Sequence, residues 1–133
     1  MKNLLYALLF LPLLASAQTK ADYEKAMVKF QKYYNQKNGA GIVKMFEEKY
    51  RKDIAWMWSK TKMDTLQNEY GKLVSFKYIG ADPKNTGAIA YSSVFSKIEP
   101  NHINILLNKN KFFETFILVT SEPIPLKKKG KGK

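Results

Sequence analysis

The chain has 133 residues, 45% hydrophobic and 14% aromatic, with one histidine, no cysteine and a formal net charge of +12 at pH 7. That size provides for one packed domain, and the lack of cysteine excludes a disulfide-stapled scaffold. One histidine without thiols also excludes the usual nitrogen and sulfur zinc clusters, so no metal and no other cofactor is expected.

The first seventeen residues read as an address that is removed. Lys2 gives a positive start, Leu4 to Leu14 is a nearly unbroken apolar run, and Ala15-Ser16-Ala17 is a small-x-small cleavage signal before Gln18. The apolar run is well short of the roughly twenty residues that span a bilayer, so the pattern predicts a secretory signal peptide over 1–17. The product is expected to be exported, periplasmic or secreted, and without a cysteine after the signal it is not expected to be a lipoprotein. Removing Lys2 with the signal leaves 22 basic and 11 acidic residues, a net +11.

From Ala21 to Gln36, Tyr23, Met27, Phe30 and Tyr34 recur at helical spacing, while Lys25, Lys29 and Lys32 lie off that face. Asn38-Gly39-Ala40-Gly41 breaks this helix, and Ile42, Val43, Met45 and Phe46 begin a second, short one. Residues 53 to 58, DIAWMW, are apolar without a clear period. A third helix is predicted from Lys60 to Tyr70, with Met63, Leu66 and Tyr70 on one face and Gly71 as its stop.

After Gly71 the period changes to alternation. Four strands are predicted: Lys72 to Ile79 with Val74, Phe76 and Tyr78 on one side, Ala88 to Lys97 with Ile89, Tyr91 and Phe95 on one side, Ile103 to Asn108, and Phe112 to Thr120. Short turn-forming links at Gly80 to Gly87, Pro100-Asn101 and Asn108 to Lys111 predict an antiparallel meander. The expected core includes Phe30, Val43, Phe46, Leu66, Phe76, Ile105 and Ile117. The packed domain is placed at 18–122, and residues 123–133, ending in KKKGKGK, are predicted to be disordered because lysine and glycine bury too little apolar surface.

The fold class is therefore α+β, three N-terminal helices packed on a four-stranded antiparallel sheet. Phe30-Gln31-Lys32-Tyr33-Tyr34-Asn35, then Ile42-Val43-Lys44-Met45-Phe46, then Leu66 and Tyr70-Gly71-Lys72-Leu73 carry a resemblance to the nuclear transport factor 2-like superfamily, in particular to small secreted bacterial domains of unknown function within it. The resemblance covers about residues 20 to 120. It implies a cone in which the sheet wraps around the helices and leaves a pocket at its wide end. Some relatives are enzymes that isomerise, dehydrate or hydrolyse small molecules there, and many others only bind or dimerise, so the fold by itself does not choose.

Glu114 is the one acid within a predicted strand, and alternation puts it on a face with Phe112, Phe116 and Leu118. It is the best candidate for a polar group in a pocket, its alternative being a surface pair with Lys97 or Lys109. His102, beside a turn, reads as exposed, and Ser92, Ser93 and Ser96 lack the surroundings of a nucleophile. Trp56, Trp58, Tyr33, Tyr34, Tyr78, Tyr91, Phe95 and Phe113 are the aromatic candidates for a pocket lining, with Trp56, Trp58, Tyr78 and Tyr91 foremost, and such a lining suits a small hydrophobic ligand or a glycan fragment. Trp56 and Trp58 are two residues apart, so on a helix they cannot share a face, and one is expected at the surface or the pocket mouth.

The basic residues are nearly all lysine, Arg51 excepted. Lysine is a hydrated point charge without a planar fork, so the charge predicts diffuse attraction to anionic surfaces and argues against nucleic-acid recognition. Lys127, Lys128, Lys129, Lys131 and Lys133 concentrate it in the tail. The leading expectation is an exported, non-enzymatic domain that binds a small apolar or amphipathic ligand, or a protein partner. Its alternatives are a lyase, isomerase or hydrolase using Glu114 or Tyr91, and an adaptor drawn to the anionic envelope surface by its tail. Apolar residues on the second side of strand two, Ala88, Ala90 and Val94, add the expectation of a homodimer.

Overall fold

The computed structural model describes residues 19–82 and 87–119. The expected signal peptide and the Lys-rich tail lie outside the described residues.

Helix α1, Lys20–Asn35, starts at a reciprocal cap: the Thr19 side chain accepts from the Asp22 N–H at 3.1 Å, and Asp22 accepts from the Thr19 N–H at 3.0 Å. Its apolar stripe buries Tyr23, Ala26, Met27, Phe30 and Tyr34. Helix α2, Gly39–Val43, is capped by Asn38, whose side chain accepts from the Gly41 N–H. Helix α3, Glu48–Ile54, runs into a 3-10 turn, Ala55–Trp58, and α4, Lys60–Tyr70, follows a Ser59 cap. Gly71 ends α4 at φ 81°, a conformation that favours glycine, and a Cβ there would meet Ser96 Oγ at 2.0 Å. Among the described residues no helix is long and apolar enough to cross a membrane.

The four strands β1 (Leu73–Ala81), β2 (Ile89–Phe95), β3 (Asn101–Leu107) and β4 (Phe113–Val119) form one antiparallel sheet in chain order. The α+β class with a four-stranded antiparallel sheet thus holds, with four helices among the described residues in place of three. The additional helix α3 buries none of its residues, so it carries no apolar period to announce it. It is tied down by polar bonds: Arg51 donates to the carbonyls of Phe46 at 2.9 Å and Lys44 at 3.1 Å. The second helix also lies earlier than expected. Met45 and Phe46 leave it because their backbone pairs with β4, through Phe113 N–H to Met45 O at 2.7 Å and Glu47 N–H to Phe113 O at 3.1 Å.

Alternation in the strands is interrupted by bulges. Leu73 opposes Phe95 and Ser75 opposes Val94, leaving Val74 without an opposite residue; Tyr78 opposes Tyr91 and Gly80 opposes Ala90, leaving Ile79 likewise. Both extra residues turn outward, at 57% and 52% exposure, while Leu73 is fully buried. The expected shared face of Val74, Phe76 and Tyr78 is corrected accordingly. Bulges bend a strand and increase its twist, which curves the sheet around α1.

Polar side chains fix α1 to the start of β1. Asn35 both accepts from the Leu73 N–H at 2.8 Å and donates to its carbonyl at 3.0 Å, and Gln31 donates to the carbonyls of Leu73 and Val74. These are the ladder groups that an edge strand leaves free. The core lies between α1 and the inner face of the sheet. Phe30, Phe46 and Ile105 are buried in it, Val43, Leu66 and Phe76 are half-buried against it, and Ile117 is half-buried opposite Asn104.

Candidate functional site

Gly39 lets the 3-10 turn close over the core. A Cβ there would stand 1.7 Å from the Trp58 carbonyl oxygen, so only glycine permits the backbone of α2 to approach that turn. The turn then directs Trp58 inward, 8% exposed, and leaves Trp56 and Met57 outside at 62% and 43%. Trp58 meets Phe30 at 5.9 Å and Phe116 at 5.7 Å between ring centroids, both edge to face.

Between this turn, α1, α4 and the inner face of the sheet lies an apolar cavity of about 350 Å³. Phe30 and Tyr34 come from α1, Lys62 and Leu66 from α4, and Phe95, Ile103, Phe116 and Leu118 from the strands. Tyr34 is not a free acid or base, since burial pushes its phenol up and the hydroxyl donates to the Gly71 carbonyl at 2.9 Å. Lys62 is the charged group among the lining residues, and its Nζ stands 5.5 Å from the centre of the Trp56 ring. Among the described residues the lining holds neither carboxylate nor imidazole.

Of the residues expected at a pocket, Trp56, Trp58, Tyr34 and Phe95 line this cavity, whereas Tyr33, Tyr78, Tyr91, Phe113 and Glu114 do not. Glu114 is exposed, and the reason is a third bulge. Leu106 opposes Thr115 and Leu107 opposes Phe113, so Glu114 is the extra residue, and Phe113 and Phe116 both turn inward around it. His102 is exposed within β3, opposite Ser92 and Val119.

Tyr91 belongs to a second cluster. It is fully buried, with edge-to-face contacts to Phe76 and Tyr78 at 5.8 Å each, and Lys20 Nζ lies 4.4 Å above the Tyr78 ring. Burial first, then the charge of Glu24, pushes the Tyr91 phenol up, so at neutral pH it keeps its proton and cannot serve as a base. Among the described residues neither the Tyr91 hydroxyl nor Glu24 Oε2 has a partner in good hydrogen-bond geometry, although the two groups interact with each other.

Met57, Lys62, Leu66 and Phe116 are cavity residues that the pocket expectation did not contain. Lys62 and Leu66 were accessible to it, being four apart on α4 and so on one face. Among the described residues, no group of three or more His, Cys, Asp or Glu side chains could hold a metal ion. The outer face of β2 also differs from expectation: Ala88 is fully buried, Ala90 is half-buried, and of the three Val94 alone is exposed.

Comparison with known proteins finds no matching family model, no matching curated protein and no matching solved structure.

Proposed function

We propose that this is an exported, non-catalytic domain that holds a small amphipathic ligand, its apolar body in the cavity and an anionic head at Lys62. The observation that carries the reading is an apolar cavity of about 350 Å³ whose mouth exposes Trp56 and Met57 beside Lys62. Large exposed apolar side chains grouped at a concavity mark an interaction site, and the volume falls in the lower part of the roughly 300–1,000 Å³ range of small-molecule pockets. A lysine at the rim adds attraction for an anion without entering the apolar interior. Helices followed by a bulged antiparallel meander also support a cone of the nuclear transport factor 2-like kind, with this cavity at its open end. Export rests on the Lys2, Leu4 to Leu14 and Ala15-Ser16-Ala17 pattern.

Titration with decanoate, followed by the fluorescence of Trp56 and Trp58, tests the reading. Trp56→Ala is expected to weaken decanoate binding at least fivefold, and Lys62→Gln to abolish the preference for decanoate over decanol. Absence of binding by both compounds, or a Trp56→Ala variant that binds like the parent, overturns it.

A further inference from the structure

A second concavity lies on the other side of α1 and has the opposite chemistry. Its volume is about 310 Å³, and Lys25 and Lys29 of α1, Lys44 after α2 and Lys111 of the β3–β4 turn surround it. Asp22 is the acid among its lining residues, and its charge is engaged: it caps α1 through the Thr19 N–H and pairs with Lys111 at 3.3 Å. Lys25, Lys29 and Lys44 have no ion-pair partner among the described residues. Four lysines against one aspartate leave an excess of three positive charges around one groove.

Two aromatic rings of the lining are held in place, those of Tyr33 and Phe112, both half-buried. Gly41 lets the Tyr33 ring lie against the α2 backbone, since a Cβ there would stand 2.9 Å from the ring. Phe112 is braced from behind by Arg51, whose guanidinium carbon is 5.3 Å from its ring centre, and the Asn108 side chain accepts from the Phe112 N–H at 3.0 Å. Lys25 and Lys29 are one helical turn apart, about 6 Å along the axis, so both reach the same rim.

We infer that this groove binds an acidic polysaccharide, one whose pyranose rings carry carboxylates. Fixed aromatic faces with a ring of lysines match a sugar that presents an apolar C–H face and a carboxylate on each residue. Lysine meets an anion as a point charge without a planar fork, so the rim supplies the attraction for charge and the two aromatic rings favour a sugar chain as its carrier. A concave rim with its floor recessed fits a chain laid into it better than the flat surface of a bilayer. The groove is built from residues of the described domain and shares none of them with the apolar cavity.

The test uses the full exported chain, titrated by calorimetry with a galacturonate tetrasaccharide at low salt, with a neutral galactose tetrasaccharide and vesicles containing phosphatidylglycerol as comparators. Lys25→Glu with Lys29→Glu is expected to weaken galacturonate binding at least tenfold, and because both residues are exposed the variant is expected to keep the parent's urea midpoint, which is measured alongside. Tyr33→Ala is expected to weaken it at least threefold, while replacing the five tail lysines by glutamine changes it less than threefold. Binding in the parent should fall between low and physiological salt, because exposed lysines act through a field screened within about 8 to 10 Å. A charge-reversed variant that binds within threefold of the parent overturns the inference. Equal binding of the neutral tetrasaccharide does so too, as does binding of vesicles without binding of galacturonate.

Discussion

Gly39→Ala is the substitution on which packing and propensity disagree in sign. In an exposed helix, alanine for glycine stabilises by up to about 1 kcal/mol. Gly39 is buried and lies outside the left-handed region, so no backbone strain enters and the outcome rests on space. The added Cβ would lie 1.7 Å from the Trp58 carbonyl oxygen, where real contacts do not fall below 3.0 Å. The neighbour is backbone, so α2 and the Ala55–Trp58 turn must part by more than an ångström. Overpacking of this kind costs about 1 to 3 kcal/mol. With a urea dependence near 2 kcal/mol/M, a loss of 2 kcal/mol lowers the unfolding midpoint by about 1 M. Trp56 and Trp58 both sit in the turn that must move, so tryptophan fluorescence reads the transition and any change in the native baseline together. A midpoint that is unchanged or higher would show that the two backbones do not meet, and the roof of the apolar cavity would then be misplaced.

Tyr91→Phe removes a buried hydroxyl that has no well-formed hydrogen bond among the described residues, so stability should stay the same or rise by up to about 1 kcal/mol. A loss above about 1.5 kcal/mol in urea unfolding would show instead that the hydroxyl is bonded to Glu24. Asp22 is held below its ordinary value of 3.8, first by the Thr19 backbone N–H and further by Lys111. Because its folded value is lowered, its contribution is complete above the unfolded value and is lost as pH falls through the folded one. The stability difference between the parent and Asp22→Asn should therefore be constant near neutrality and shrink below about pH 4, and a difference that stays constant throughout acid titration would contradict the cap geometry.

The sequence carries the parts of the fold that rest on long, regular periods. Helix α1 and helix α4 lie within one residue of their expected bounds because their buried residues recur at three and four, and the four strands lie within two residues of theirs, β3 beginning at Asn101, which reads from the sequence as part of the turn before it. What is hidden is local irregularity. A bulge adds one residue and reverses the facing of everything beyond it, which is why Glu114 reads as inward and is outward. Helix α3 has no apolar face to read. Trp56 and Trp58 are legible as a pair divided between surface and interior, but the turn that divides them depends on Gly39, far earlier in the chain and set against the Trp58 carbonyl, a contact that no periodicity records.

Helix α1 supports both concavities and the edge of the sheet through three separate stripes. Phe30 and Tyr34 face the apolar cavity, Gln31 and Asn35 clamp β1, and Lys25, Lys29 and Tyr33 form the basic groove. At 3.6 residues per turn, successive positions are rotated by about 100°, so residues four apart stay in one stripe and neighbours fall in different ones. The motif Phe30-Gln31-Lys32-Tyr33-Tyr34-Asn35 thus serves three tasks in six positions. The arrangement separates the two binding proposals physically: reversing Lys25 and Lys29 leaves the stripe that lines the cavity untouched, and replacing Trp56 leaves the groove untouched. A defect in decanoate binding and a defect in galacturonate binding should accordingly arise from different substitutions, and a single exposed substitution that removed both would mean that α1, and not either site, had been disturbed.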